Sequence, residues 1–296
     1  MIFVAGNTGQ VARSLAEAAE NSDIHVETFG RPELDLAAPE SLEAFVTGKN
    51  PVAIVNAAAY TAVDQAESEE ELAIKINADG PAALAAVAAK LEVPFIHIST
   101  DYVFDGSKPS EYVEEDPVGP TGAYGRSKLA GEKAVLAANP RAIILRTAWV
   151  YSPFGKNFLK TMLFLASREQ LSVVADQYGN PTYAPDIAEA ILAILQQLDG
   201  QQPDTSQAGI FHMTGSNATN WHGFAEAIFE EGTKAGLPKP AVAAITTAEY
   251  PTPAKRPANS RLDCSKLERV FGVKLPDWRD STAECVKRLS QMGELG

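Results

Sequence analysis

The chain opens with a short apolar run, a glycine turn and a helical pattern, in that order. Met1 to Ala5 is apolar, Gly6 and Gly9 lie in the turn, and a helical pattern follows from Ser14. In such an arrangement the first glycine permits a tight turn and the second lets the backbone approach a pyrophosphate. The first N–H groups of the helix have no partner and carry a positive dipole. The opening therefore predicts a dinucleotide-binding unit.

Further apolar runs alternate with helical stretches rich in alanine and leucine. The runs predicted as strands are 2–5, 24–29, 52–56, 95–99 and 142–146. Alternation of strand and helix is typical of a parallel sheet with helices on both faces, and ligands bind at the carboxyl ends of its strands. We therefore expect an α/β fold, with a Rossmann-type doubly wound parallel sheet and a smaller, mixed α/β C-terminal substrate domain.

After about residue 150, prolines divide the chain into short pieces. Helical patterns recur near 157–167, 186–198, 221–236 and 278–291. We predict a dinucleotide-binding domain over 1–150 and a substrate domain over 151–296. The helix near 186–198 is a candidate to pack back on the first domain.

Charge and composition exclude several classes of function. The 296 residues carry 25 basic and 38 acidic side chains, a net charge of −13, which argues against nucleic acid and anionic membranes as partners. No apolar run approaches the length of a membrane span and no signal peptide opens the chain, so we expect a cytoplasmic protein. Cys264 and Cys285, with four scattered histidines, offer neither a disulfide pattern nor metal-ligand spacing.

Tyr124 and Lys128 are the first candidates for chemistry. Residues four apart share one face of a helix, so an ammonium can lie beside a phenol and stabilise its ionised form. That makes a tyrosine a usable acid at neutral pH. The spacing is a weak signal on its own in a chain with eight tyrosines. It gains weight because Thr100 and Asp101 end an apolar strand shortly before it.

Longer motifs carry a family resemblance, and they lie at 6–11, 55–64, 99–106, 124–132, 146–151, 176–182 and 250–262. Through them the chain resembles the extended short-chain dehydrogenase/reductase superfamily and, within it, the reductases of 4-keto deoxysugar nucleotides. The resemblance covers essentially the whole chain. It implies reduction of the C4 ketone of dTDP-6-deoxy-L-lyxo-4-hexulose by NADPH, giving dTDP-L-rhamnose.

The resemblance also implies the catalytic roles. Tyr124 would protonate the developing alkoxide, and Thr100 would hold the carbonyl oxygen by a hydrogen bond that strengthens as charge develops. Lys128 would lower the pKa of Tyr124 and hold the nicotinamide ribose.

The end of the second strand bears on the choice of cofactor. An acid there usually holds a ribose 2′-hydroxyl, whereas a cation suits a 2′-phosphate. Gly30-Arg31 occupies the place, so Arg31 favours NADPH, with NADH as the alternative and a surface arginine as the competing interpretation. Ala12 replaces the third glycine of the usual fingerprint. The full set expected to bind the cofactor is Gly6, Thr8, Gly9, Gln10, Val11, Ala12, Arg31, Asp35, Leu36, Ala57, Ala58, Ala59, Tyr60, Thr61, Tyr124 and Lys128.

A nucleotide-sugar substrate is expected along the segment after Thr100 and on the second region. Trp149 could stack on the hexose or thymine or fill the core, and the Lys255-Arg256 pair could meet the diphosphate or be solvated. Asn77 matches a superfamily position, while His97 is interpreted as a core residue. The expected substrate contacts are Thr100, Asp101, Val103, Phe104, Tyr124, Trp149, Asn157 and Arg256.

Metal binding, assembly and the alternative functions are the last expectations. The resemblance also brings in dimers that some family members form around a magnesium ion bound by carboxylates. One of these carboxylates lies in the first helix after the glycine turn, where this chain has Arg13-Ser14, so we predict no intrinsic metal and a monomer or homodimer. One alternative is a non-catalytic regulatory subunit resembling the methionine adenosyltransferase partner, and another is a nucleotide-sugar epimerase. Intact Thr100, Tyr124 and Lys128 favour the enzyme over the first, and the segment 99–104 argues against the second.

Overall fold

The computed structural model describes residues 1–20 and 24–295 of the chain. In chain order its strands are β1 (Ile2–Ala5), β2 (Val26–Phe29), β3 (Ala53–Asn56), β4 (Phe95–Thr100), β5 (Ile143–Thr147), β6 (Val150–Tyr151), β7 (Gln170–Val174), β8 (Tyr178–Gly179), β9 (Thr182–Tyr183), β10 (Gly209–His212), β11 (Thr219–Asn220) and β12 (Ala241–Ile245). Six strands form one parallel sheet in the order β2-β1-β3-β4-β5-β10. The predicted Rossmann-type sheet is confirmed.

The helices are α1 (Gln10–Glu20), α2 (Leu42–Thr47), α3 (Val63–Ala66), α4 (Glu70–Ile74), α5 (Gly80–Leu91), α6 (Ala123–Ala138), α7 (Phe158–Phe164), α8 (Ala184–Leu198), α9 (Trp221–Lys234), α10 (Ser265–Phe271) and α11 (Trp278–Met292). A π-helical turn at Lys75–Asp79 joins α4 to α5. The four helical patterns predicted after residue 150 correspond to α7, α8, α9 and α11.

The sheet is buried on both faces because its side chains alternate between two cores. On β1, Ile2 and Val4 pack with α1 and α8, while Phe3 and Ala5 pack with α2 and α5. All four side chains are nearly inaccessible to solvent. An open parallel sheet covered in this way leaves its carboxyl-end edge as the place for a ligand.

The chain after residue 150 contributes to this sheet as well as to a second core. Strand β10 pairs with β5, and α8 packs along α1. The sequence pattern did not predict β10. A separate core, which includes Tyr151, Phe224 and Trp278, joins α7, α9 and α11 around the paired strands β7 and β12. The polypeptide therefore passes between the sheet and this separate core more than once.

One helical stretch meets the criteria of a membrane span by length and composition. In the described residues it is Glu70–Leu91, and half of the window is buried inside the protein. Buried helices in the core of a folded protein share this length and composition. The stretch packs against α6 as part of the fold.

Candidate active site

The predicted functional residues converge on the carboxyl edge of the sheet. Gly6 follows β1, Ala57 follows β3, Thr100 ends β4 and Trp149 follows β5. Tyr124 lies in the first turn of α6 and Lys128 in the next. Strands with parallel neighbours bring these separated segments together at one edge.

The side chain of Thr100 lies within a small hydrogen-bonded group. Its hydroxyl donates to Asp101 Oδ1 at 2.9 Å and accepts from the backbone N–H of Tyr102 at 3.2 Å. The ring of Tyr124 packs edge-on against that of Tyr102, with centroids 5.5 Å apart. Thr100 and Tyr124 therefore both contact Tyr102, in the turn that follows β4.

The ionisation of Tyr124 differs from the prediction. Burial raises the pKa of Tyr124, a hydrogen bond with Thr100 offsets part of the rise and the nearby Asp101 charge adds to it, which brings the pKa to about 12. The expectation that Lys128 lowers this pKa does not describe the present arrangement, because the ammonium makes its contacts elsewhere. The phenol is held in its protonated form, which is the form a proton donor needs.

Lys128 is fully buried and directed toward β4. Its Nζ donates to the carbonyl oxygen of Ile98 at 2.7 Å and lies 3.4 Å from His97 Nε2. Burial lowers the pKa of Lys128 to about 8, and the charge of Glu132 opposes that change. This pKa is close to neutral pH, so Lys128 can lose its proton there more easily than an ordinary lysine.

His97 is buried, as predicted, and it supports Lys128. Asn56 Nδ2 donates to His97 Nδ1 at 2.9 Å, while Asn56 Oδ1 accepts from the N–H of Ala58. Burial and the Lys128 charge hold the pKa of His97 well below its ordinary value. The neutral imidazole of His97 therefore lies between the ammonium of Lys128 and the side chain of Asn56, at the end of β3.

Asp101 is a buried carboxyl beside the catalytic hydroxyls. Its Oδ2 has no hydrogen-bond partner among the described residues, although the side chain is only 2% exposed. Burial raises the pKa of Asp101 to about 6, and hydrogen bonds from Ser260 and Thr100 oppose the rise. Asp101 is therefore a buried acceptor with one unsatisfied oxygen, next to the hydroxyl of Thr100.

Helix α6 packs against its surroundings at two glycines where no side chain fits. A Cβ at Gly125 would lie 2.3 Å from the carbonyl oxygen of Tyr102, and one at Gly131 would lie 2.0 Å from that of Asn77. Asn77 itself bridges the loop after β3 and α6, through the Tyr60 backbone and Ser127 Oγ. These close contacts set the distance of α6 from the backbone at Tyr102 and Asn77, and with it the positions of Tyr124 and Lys128.

The glycine turn has the features needed for a dinucleotide. Gly6 has a φ of +113°, and a Cβ there would meet the backbone of Ala57 at 3.3 Å. Thr8 and Gly9 are exposed at the start of α1, whose first turn carries no acidic residue. A pyrophosphate could therefore reach the unpaired N–H groups without meeting a negative charge.

Arg31 lies beside this turn. It is exposed just after β2, and a Cβ on its neighbour Gly30 would lie 2.3 Å from Asn7 Oδ1 in the turn. Asp35 accepts from the N–H of Ala37 within its own loop, and Leu36 is buried in the core. Two expected cofactor residues in the first turn of α1, Val11 and Ala12, have side chains buried in the core, so only their backbone could meet a cofactor. The other expected residues lie at the start of α1 or after β3, and they are Gln10, Ala57, Ala58, Ala59, Tyr60 and Thr61.

Two of the expected substrate residues are inside the protein. The side chains of Val103 and Phe104 are at most 1% exposed, and Phe104 stacks on Tyr112 with centroids 4.2 Å apart. Only their backbone groups could touch a ligand. Sequence reasoning could not distinguish a buried segment next to a site from the site itself.

Trp149 stays half-buried at the edge of the sheet with a strained backbone. Its φ of +47° lies in the left-handed region, which is uncommon for a bulky residue. Its ring stacks on Trp221, with centroids 3.6 Å apart, and lies so close to Gly179 that a Cβ there would meet it at 2.6 Å. Strain of this kind persists where the surroundings hold it. No sequence pattern indicated a role for Trp221.

Asn157 and Arg256 are both engaged by other side chains. Asn157 begins α7, and its Nδ2 donates to Gln10 Oε1 at 2.9 Å. Arg256 Nη2 pairs with Asp64 Oδ2 at 2.9 Å. A cleft of about 550 Å³ lies beside Arg256, between the loop 105–107 and the segment 250–258. The pair with Asp64 joins residues 192 positions apart, and no sequence pattern indicates it.

No metal centre is evident in residues 1–20 and 24–295. They contain no group of three His, Cys, Asp or Glu side chains placed to hold a metal ion. On α1, the guanidinium of Arg13 lies over the ring of Phe154, 4.1 Å from its centroid.

Comparisons with known proteins agree with this geometry. The family model of the RmlD substrate binding domain matches residues 1–291. A dTDP-4-dehydrorhamnose reductase of Sinorhizobium fredii is 49% identical over 294 residues, which is 99% of each chain.

Solved structures give the same family. The dTDP-4-dehydrorhamnose reductase of Clostridium acetobutylicum superposes with a TM-score of 0.89 at 37% identity, over 97% of this chain and 99% of that one. The enzyme of the same name from Bacillus anthracis, solved in complex with NADP, has a TM-score of 0.88 at 33% identity, over 97% and 98%. The chain therefore belongs to the dTDP-4-dehydrorhamnose reductase family.

Proposed function

We propose that the protein reduces the C4 ketone of dTDP-4-dehydro-L-rhamnose to give dTDP-L-rhamnose, with NADPH as the reductant. The observation that carries the proposal is the convergence of Thr100, Tyr124 and Lys128 at the sheet edge beside an uncharged glycine turn. A regulatory subunit without catalysis would have no need of this arrangement.

The protein's own contribution is to orient the ketone and supply a proton. A bound nicotinamide would supply the hydride. Tyr124 would donate its proton to the C4 oxygen as negative charge develops there, and the Thr100 hydroxyl would hold that oxygen by a hydrogen bond. Lys128 would hold the nicotinamide ribose, since it lies on α6 one helical turn beyond Tyr124.

The diphosphate, the base and the hexose of the substrate would be bound mainly by residues after position 148. Arg256 and Lys255 border the open cleft and would supply local positive charge for the diphosphate in a protein whose net charge is −13. Trp149 would offer a flat apolar surface to the hexose or the base. Asn157, bonded to Gln10, would fix the second region against the cofactor helix. We also propose that residues 1–150, together with α8 and β10, bind the dinucleotide and that the rest of 151–296 binds the substrate, in a cytoplasmic monomer or homodimer.

The direct test is oxidation of NADPH on addition of the 4-keto sugar nucleotide, followed by absorbance at the nicotinamide band. We expect oxidation that depends on the substrate, and dTDP-L-rhamnose as the product. A folded protein that binds NADPH and oxidises none of it with this substrate would contradict the reductase assignment. Interconversion of sugar epimers without net oxidation of the cofactor would indicate an epimerase instead.

Replacing Arg31 with Ala should weaken NADPH binding more than NADH binding. A guanidinium pairs with the 2′-phosphate that only NADPH carries, and loss of a hydrogen bond to a charged group corresponds to about tenfold or more in affinity. The measurement is the Kd of each cofactor by fluorescence titration. The exposed Arg168, in the second region, gives a matched control, and Arg168→Ala should leave both affinities unchanged. Equal losses for both cofactors in Arg31→Ala would remove the phosphate contact from the proposal.

A further inference from the structure

Behind the proposed catalytic groups lies a buried ion pair that the mechanism does not use. Glu132 on α6 and Arg146 on β5 are each about 2% exposed. Arg146 donates to both carboxylate oxygens, through Nε at 2.8 Å and Nη2 at 2.7 Å, and Ser99 Oγ donates to Glu132 Oε1 at 2.6 Å. The carboxylate thus accepts three short hydrogen bonds.

The pair sits where α6 meets the catalytic end of β4. Glu132 is one helical turn beyond Lys128, and Ser99 directly precedes Thr100. Lys128 donates to the carbonyl oxygen of Ile98, the next residue back. Consecutive residues of β4 are therefore bonded to consecutive turns of α6, so the helix carrying Tyr124 cannot slide along the strand carrying Thr100.

Stability is a poor explanation for this ion pair. Removing two charges from water costs free energy that their attraction often fails to recover, and apolar replacements of buried pairs are frequently neutral or stabilising. The pair also leaves Arg146 Nη1 buried without a hydrogen-bond partner among the described residues, although the guanidinium lies over the ring of Phe104.

We propose that Glu132 is a positioning residue for the reduction, which fixes α6 against β4 and keeps the buried Lys128 in its charged form. One part of this proposal rests on the proposed function, namely that the charge of Lys128 matters to the reaction. Its structural part concerns Lys128 itself and applies whatever the substrate is.

The surroundings of Lys128 contain few other charges. From β4 it faces His97, and on its own helix Tyr124 and Glu132, with Arg146 of β5 behind the carboxylate. Asp101 and Tyr102 lie on the turn after β4. Burial lowers the pKa of Lys128, and among the residues that the structure describes the charge that raises it is that of Glu132. Residues four apart on a helix have Cβ atoms about 5–6 Å apart, within range of a strong interaction.

The test is an NMR titration of the lysine ε-carbons in the full-length protein, with Lys128 assigned by Lys128→Arg. It requires neither substrate nor turnover, so it is independent of the reductase assay. We expect Glu132→Gln to lower the apparent pKa of Lys128 by about one pH unit. Glu132→Asp should retain most of the wild-type value because it keeps the charge, and Ser99→Ala should retain it because it removes only one hydrogen bond.

A second variant covers the case in which Glu132→Gln fails to fold with Arg146 left unpaired. Glu132→Gln/Arg146→Met removes both charges and should shift Lys128 in the same direction by a smaller amount. In the reductase assay, Glu132→Gln should lower kcat more than it raises KM, with partial recovery in Glu132→Asp. A Lys128 titration unchanged in both the single and the double variant would overturn the proposal, even if both lose activity.

Discussion

Tyr124→Phe is expected to lower kcat by at least about a hundredfold, because positioned general acids commonly contribute that much. Cofactor binding should persist, since the aromatic ring and its contact with Tyr102 remain. Burial raises the pKa of Tyr124 to about 12, so the phenol is protonated throughout the ordinary assay range. The loss in kcat should therefore be nearly constant from pH 6 to pH 9.

Tyr102→Phe is the matched control because it removes a second buried phenol whose ring contacts that of Tyr124. We expect a much smaller fall in kcat, with NADPH affinity unchanged in both variants. A single-turnover measurement with bound NADPH separates the chemical step from product release. If Tyr102→Phe loses as much as Tyr124→Phe, or if Tyr124→Phe turns over normally, the proton donor is misassigned.

The sheet was predictable from sequence because its strands are continuous apolar runs bounded by turns and helices. Five strands were predicted, and each lies within two residues of its expected bounds. Strand β10 was not predicted because its partner β5 lies some sixty residues earlier in the chain, in a region that the prolines divide into short pieces. Pairing over that distance depends on how α8 packs on α1, which no local pattern records.

The candidate site was predictable to the extent that its groups lie in compact motifs. The motifs placed Thr100, Tyr124 and Lys128 at one edge, but they could not show where the Lys128 ammonium points. That direction depends on the Ile98 carbonyl and His97, and the ionisation of Tyr124 depends on burial. Glu132 could be placed one turn from Lys128 by spacing alone, whereas its pairing with Arg146 needs the contact between α6 and β5.

Arg146→Met should lower the free energy of unfolding by about 3–5 kcal/mol, because it leaves the Glu132 carboxylate buried without its charged partner. Chemical denaturation followed by circular dichroism measures the loss. Arg126→Met is the matched control on α6 itself, since Arg126 makes a similar two-point pair with Glu70 at the surface. An exposed pair contributes about 1 kcal/mol or less.

The double variant Glu132→Gln/Arg146→Met shows whether the pair serves the stability of the fold or the geometry and charge of the site. With both charges removed, the desolvation cost disappears, so we expect the double variant to be clearly more stable than Arg146→Met. If stability returns while kcat stays low, the pair is needed for the geometry and charge of the site and not for folding. If Arg146→Met is no less stable than Arg126→Met, the Glu132 carboxylate reaches water when unpaired, and the pair cannot hold α6 against the sheet.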